Sequence, residues 1–365
     1  MERIPMYDFP REYEINRETY LSLFDEVCRT GQFSDGQFSH TFEKEFAAYI
    51  GAGYAASVSN GTSALILALR ALDVGPGDEV IVPSATFTAT PGAVMMCGAR
   101  PVFADIEPDT WQISAASVEE RITKKTKAVI GVHLYGGMFD VETLGALCAA
   151  YSLPLIEDTA QAVGSEWKGQ KAGTFGAAGC FSFYPTKNLG AFGEAGCVVS
   201  DNADLIARVN ALKEHDMRHN VYGELGYNMR MDGIQGAVLS FKLKRLEAFT
   251  ARKNEIAALY RDSLKDSGRL TFQYAPPHVR HSYHLFVVKT DDRAGFLSYM
   301  EEKGIGTGVQ YPTPCHRQKV FTDAFGETSL PVTEELMERC VSVPTYPLLT
   351  DEETGYVAAQ LRNYG

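Results

Sequence analysis

The sequence predicts an α/β protein: a large domain with a mostly parallel sheet, followed by a smaller α/β domain. Three observations carry this. Up to about residue 200, short β-branched runs alternate with helix-like segments. Those runs are near-continuously apolar, as strands covered on both faces are. From about 234 to 262, apolar residues recur at helical spacing among many charges, and the strands beyond are fewer and shorter. At 365 residues the chain is long for one domain and suits two. The reading divides it into 1–245 and 246–365.

The elements follow in order. "YAASVS" (54–59) is the first strand and leads into "NGTSALILALRALD". "DEVIVP" (78–83) precedes "TATPGAVMMCG", and "ARPVFAD" (99–105) comes next. "KAVIGVHLY" (127–135) precedes the helix "DVETLGALCAAYS", and "LPLIED" (153–158) follows it. "GCFSFY" (179–184) and "GCVVSD" (196–201) flank a Gly-rich loop. "IQGAVLSFKLKRLEAFTARKNEIAALYRD" reads as one long helix leaving the first domain. "SYHLFVVK" (282–289) and "AGFLSYMEEKG" belong to the smaller domain.

Composition removes several function classes. Hydrophobic residues are 45% and charged residues 22%, so a packed core is expected rather than disorder. A net charge of −12 lacks the basic footprint of nucleic-acid binding. The seven cysteines are scattered, odd in number and form no C-x-x-C, which suits reduced thiols in the cytoplasm and no zinc site. "MERIPMYDFPREYE" has no apolar core of a signal peptide, and no run reaches the roughly 18 apolar residues of a membrane helix. The expectation is a cytoplasmic protein.

In open α/β sheets, ligands sit beyond the carboxyl ends of the strands. After the first strand comes Asn60-Gly61-Thr62-Ser63. A helix N-terminus with hydroxyls can hold an anion, although Asn, Ser and Thr are also common caps. No P-loop and no strand-linked G-x-G-x-x-G is present. After the second strand, Phe87 can stack on a planar ring or pack in the core. Asp158 closes the fifth strand, where a carboxylate can cap a helix or pair with a protonated heterocyclic nitrogen. Lys187, in "FSFYPTKN", follows 29 residues later. Each feature is weak alone. Together they meet the requirements of pyridoxal 5′-phosphate: donors for the phosphate, a flat face for the ring, an anion for the pyridinium and a lysine for the aldehyde.

"NGTSAL", "PSATFTAT", "HLYGG", "IEDTAQAVGS", "FSFYPTKNLGAFGEAG", "GYNMRMDGIQGAVL" and "YPLLTDEE" occur in this order along nearly the whole chain. The sequence thereby resembles the DegT/DnrJ/EryC1/StrS family of sugar aminotransferases. The resemblance implies the aspartate-aminotransferase fold (fold type I) and a covalent Schiff base between Lys187 and pyridoxal phosphate. It implies that Asp158 pairs with the pyridine nitrogen and Gln161 touches the ring or its hydroxyl. Ser182 and the Gly61-Thr62-Ser63 turn would hold the phosphate, and Phe87 would stack. Asn228 would reach the phosphate of a neighbouring subunit, with Arg230 near the substrate, so a homodimer with shared sites is implied. Tyr311 would approach the sugar, and Gln310 stands where members often carry histidine. His215-Asp216 likewise departs from the family's His-Gly.

The flanking "YPTKN" resembles enzymes that aminate C3 of a dTDP- or UDP-linked 3-keto sugar, with L-glutamate as donor and pyridoxamine phosphate between the half-reactions. The alternatives are amination at C4 and a related dehydratase, the latter disfavoured because those enzymes typically carry histidine in place of Lys187. A non-catalytic relative is a third. His133 reads either as a core histidine or as a site residue. His215, His219 and His316 read as loop residues.

Overall fold

A computed structural model describes residues 3–218 and 221–365. His219 lies outside them. The centre is a seven-stranded sheet built from β1 (Tyr54–Val58), β2 (Glu79–Pro83), β3 (Arg100–Ala104), β4 (Thr126–Val132), β5 (Leu155–Asp158), β6 (Ala178–Ser182) and β7 (Gly196–Ser200). Their order is β1-β7-β6-β5-β4-β2-β3. Only β7 runs antiparallel, to both β1 and β6. The other pairings are parallel.

Alternation along each strand sends residues to opposite faces. Val80, Val82, Ala128, Ile130 and Val198 pack on one face with the helices Gly61–Ala71 and Ala203–Lys213. Ile81, Val129 and Leu155, with Cys197 and Val199, pack on the other, against residues of Gln37–Ile50, Val141–Ala150 and Gly233–Leu243. Both faces are therefore covered, which explains why these strands read as unbroken apolar runs.

The segment read as one helix is two, Gly233–Leu243 and Leu246–Leu264. Leu243 and Leu246, on either side of the break, enter the same core. That keeps the apolar periodicity running through a junction without glycine or proline. The second helix joins a separate core around the antiparallel strands β8 (Thr271–Phe272), β9 (Phe286–Lys289) and β10 (Cys340–Val343), in the order β8-β9-β10. Ile4 packs into this second core and bridges Ile305. Conversely, Cys315, Phe321 and Leu330 pack on the central sheet. The chain thus crosses between the two cores at both ends.

Candidate active site

The carboxyl ends of β1, β2, β4, β5 and β6 surround a cavity. Its walls include Gly61, Thr62, Phe87, Thr90, Asp158, Gln161, Ser182 and Lys187.

At one end the helix Gly61–Ala71 begins. Asn60 is its cap: the Asn60 side chain accepts the Ser63 N–H at 2.8 Å. The N–H groups of Gly61 and Thr62 open the helix and face no intrahelical acceptor. A Cβ on Gly61 would lie 2.7 Å from Ser182 Cβ, so only glycine lets the turn close against β6. The result is a narrow cradle of N–H groups and a hydroxyl, suited to a phosphate. Ser63 does not share in it. It is buried and its hydroxyl pairs with that of Ser59 at 2.8 Å.

At the other end Asp158 is 5% exposed. Its Oδ2 accepts from the Thr90 hydroxyl at 2.8 Å and its Oδ1 from the Ala160 N–H at 3.2 Å. Burial raises its pKa, while these two bonds and the Lys187 charge pull it back. Thr90 sits in the first turn of the helix Ala89–Met96. Sequence reasoning missed it, because a threonine there carries no signal beyond a helix start.

Lys187 lies on the loop after β6. Burial pushes its amine down to about 8, and Asp158 acts in the opposite sense. A lysine amine in that range is partly neutral near physiological pH and so can act as nucleophile and proton carrier. Phe87 is 55% exposed, so its ring is open to the cavity rather than buried in the core. It lies 5.6 Å from the Tyr311 ring. Gln161 is held on both sides: its Oε1 accepts the Tyr135 N–H at 2.7 Å and its Nε2 donates to the Tyr311 hydroxyl at 3.0 Å. Tyr311, from the C-terminal part of the chain, thereby touches two residues of the wall, Phe87 and Gln161.

Three expected contributors lie elsewhere. The Gln310 side chain accepts from the Ser342 hydroxyl at 2.5 Å, inside the C-terminal core region, and is absent from the cavity wall. Asn228 and Arg230 bond to each other at 3.0 Å and do not line their own chain's cavity either. His133 is fully buried, with Nε2 2.8 Å from Glu157 Oε2 and its ring stacked on Phe139. It is a core histidine. His316 is also buried, between Ser84 and Glu334, rather than on an open loop. His215 is exposed.

The residues present fit pyridoxal phosphate. An anion cradle, a buried carboxylate, an exposed aromatic ring and a lysine whose pKa is lowered by burial line one cavity. No group of metal-ligating side chains occurs among the described residues.

Fold and site together define an enzyme of the aspartate-aminotransferase architecture. The chain belongs to the DegT/DnrJ/EryC1/StrS aminotransferase family, whose sequence model matches residues 14–362. It is 39% identical, over 99% of both chains, to the dTDP-3-amino-3,6-dideoxy-alpha-D-galactopyranose transaminase of Aneurinibacillus thermoaerophilus. To the UDP-N-acetyl-3-dehydro-alpha-D-glucosamine 3-aminotransferase of Acidithiobacillus ferrooxidans it is 37% identical, over 98% of this chain and 97% of that one. Among solved structures, S. venezuelae DesV in complex with a ketimine intermediate superimposes with a TM-score of 0.97 at 34% identity, covering 100% of this chain and 99% of that one.

Proposed function

We propose that this aminotransferase transfers the amino group of L-glutamate to C3 of a dTDP- or UDP-linked 3-keto sugar, using pyridoxal phosphate. The observation that carries the reading is the presence of Lys187 and Asp158 on one cavity together with the Gly61–Ser182 cradle. The choice of C3 rests on the relatives named above and on "YPTKN" around Lys187.

When bound, the cofactor supplies an electron sink for charge developing at the donor's α-carbon. The protein's residues do the rest. Gly61, Thr62 and Ser182 anchor the phosphate. The Asp158 carboxylate holds a proton on the pyridine nitrogen, and the Thr90 hydroxyl and Ala160 N–H fix that carboxylate in place. Phe87 offers its face to the ring. Lys187 would hold the cofactor's aldehyde carbon. Its Nζ, when free, would carry the proton to and from the donor's α-carbon. In the second half-reaction the same amine runs that transfer in reverse toward the sugar carbon. Proton transfer by a positioned side chain is worth about 10²–10⁴-fold.

Asn228 and Arg230 lie off their own chain's cavity. Their place in the proposal is the neighbouring site of a homodimer, Asn228 at the phosphate and Arg230 at the substrate. Tyr311 sits at the sugar end, bonded to Gln161. The proposed location is the cytoplasm, where nucleotide sugars are made. No helix among the described residues is long and apolar enough to cross a membrane.

The test is a panel of nucleotide-linked 3-keto and 4-keto sugars with glutamate, the product carbon being located by NMR. The expected product carries nitrogen at C3. Amination at C4 would overturn the regiochemistry, and no amination of any keto sugar would overturn the substrate class.

A further inference from the structure

Lys187 borders a second cavity, formed with the N-terminal segment, the helix Leu246–Leu264 and the C-terminal core. Its wall includes Asn188, Lys253 and His284. Nothing in the transfer chemistry described so far uses it.

Lys253 is 6% exposed. Its amine donates to Asn188 Oδ1 at 2.7 Å and has no carboxylate partner among the described residues. The amide of Asn188 is itself anchored, donating to the carbonyls of Ser282 and Val163 at 3.0 and 3.3 Å. Burial alone pushes the Lys253 amine down to about 7, which is the mark of a cation without a counter-charge. His284 is 5% exposed, and its Nδ1 is buried without a hydrogen-bond partner among the described residues. Burial first, then the charges of Lys187 and Lys253, hold its pKa well below the ordinary value. Two buried nitrogen-bearing side chains, neither paired with a carboxylate among the described residues, therefore border one cavity.

We propose that Lys253 and His284 form a subsite for the side-chain carboxylate of the amino donor, with Asn188 setting the position of the Lys253 amine. The inference rests on the aminotransferase reading with a dicarboxylate donor. It names the group that distinguishes this donor from neutral amino acids. One feature favours a single carboxylate over a sugar diphosphate: much of the wall is apolar, including Leu246, Phe249 and Leu285. The carboxylates of Asp8 and Glu12 line the same cavity. They do not neutralise Lys253, because Asp8 pairs with Arg11 and Glu12 with Lys242.

The test uses glutarate, which has both carboxylates and no amine, and cofactor-free protein in a calorimeter. Wild type should bind glutarate. Lys253→Met should weaken binding by about tenfold or more, the size of a charge-assisted hydrogen bond. His284→Asn should weaken it several-fold and keeps the test alive if Lys253→Met does not fold. On the cofactor-loaded protein, bleaching of the cofactor absorbance by glutamate and by glutamine gives a second readout. Lys253→Met should lower the preference for glutamate about tenfold or more.

Equal glutarate affinity in all three proteins overturns the subsite. So does an equal slowing with both donors, which would make Lys253 only a prop for the Lys187 loop. A wild-type protein bleached by no amino acid at all would instead end the aminotransferase reading, and the calorimetric arm would still decide whether the anion site exists.

Discussion

The contact between Gly61 and Ser182 permits a sharp test. Adding a methyl group at Gly61 places a Cβ 2.7 Å from Ser182 Cβ, 3.2 Å from its Oγ and 3.3 Å from its Cα. Carbon atoms in contact ordinarily lie about 3.5–4.0 Å apart, so the overlap is close to 1 Å. The nearest atoms belong to the backbone and first carbon of a strand, not to a flexible tip. Gly61 does not need a left-handed backbone, and alanine is the better helix former. The expected loss is therefore steric alone, about 1–3 kcal/mol for Gly61→Ala. Ser182→Gly removes the blocking carbon. In a double-mutant cycle measured by denaturant unfolding of cofactor-free protein, the pair should recover about 1 kcal/mol or more relative to the sum of the singles. Additivity within about 0.5 kcal/mol would refute the argument that these two positions close the cradle on each other.

Three further outcomes are expected. Asp158→Asn should keep the fold, because an amide oxygen can still accept from Thr90 or Ala160, yet lower transamination by at least about a hundredfold; near-normal turnover would remove Asp158 from its role. Mixed dimers of Lys187→Ala and Asn228→Ala chains should regain activity that neither variant has alone, since one of the two sites would then be intact; no recovery on mixing would argue against shared sites. Lys253 gives a pH signature. Its folded pKa, about 7, lies below the unfolded value, so the unfolded chain binds more protons between about pH 7 and 10. Stability should rise with pH across that window, and Lys253→Met should flatten the rise, by roughly a few kcal/mol over the whole span. Parallel wild-type and variant curves from urea unfolding would contradict it.

Much of the molecule is legible in its sequence. The strands that lead to Asn60, Phe87 and Asp158 are short apolar runs because both sheet faces are covered, and a parallel sheet puts their carboxyl ends along one edge. What stayed hidden was decided by tertiary contacts. The helix break at Lys244–Arg245 is silent because the apolar spacing continues across it. The pairing of the Ser63 hydroxyl with Ser59, and that of Gln310 with Ser342, join residues that no spacing rule links. Thr90 and the Lys253–Asn188 bond are long-range contacts that no spacing rule encodes. The small ribbon formed by Glu166–Trp167, Gln170–Lys171 and Val279–Arg280 also escaped, since two-residue strands have no periodicity to detect.

β5 ends in two consecutive acids with opposite fates. Asp158 faces the cavity. Glu157 faces away, where its carboxylate accepts the N–H groups of Gly173, Phe175 and Gly176 at 2.6–2.8 Å. A slip of this strand by one residue cannot satisfy both faces. In the direction that carries Glu157 into the cavity, Ile156 arrives at the three N–H groups and accepts none of them; in the other, Asp158 leaves the cavity and Thr159 takes its place. The clasp on Gly173–Gly176 and the carboxylate in the cavity therefore depend on one and the same register.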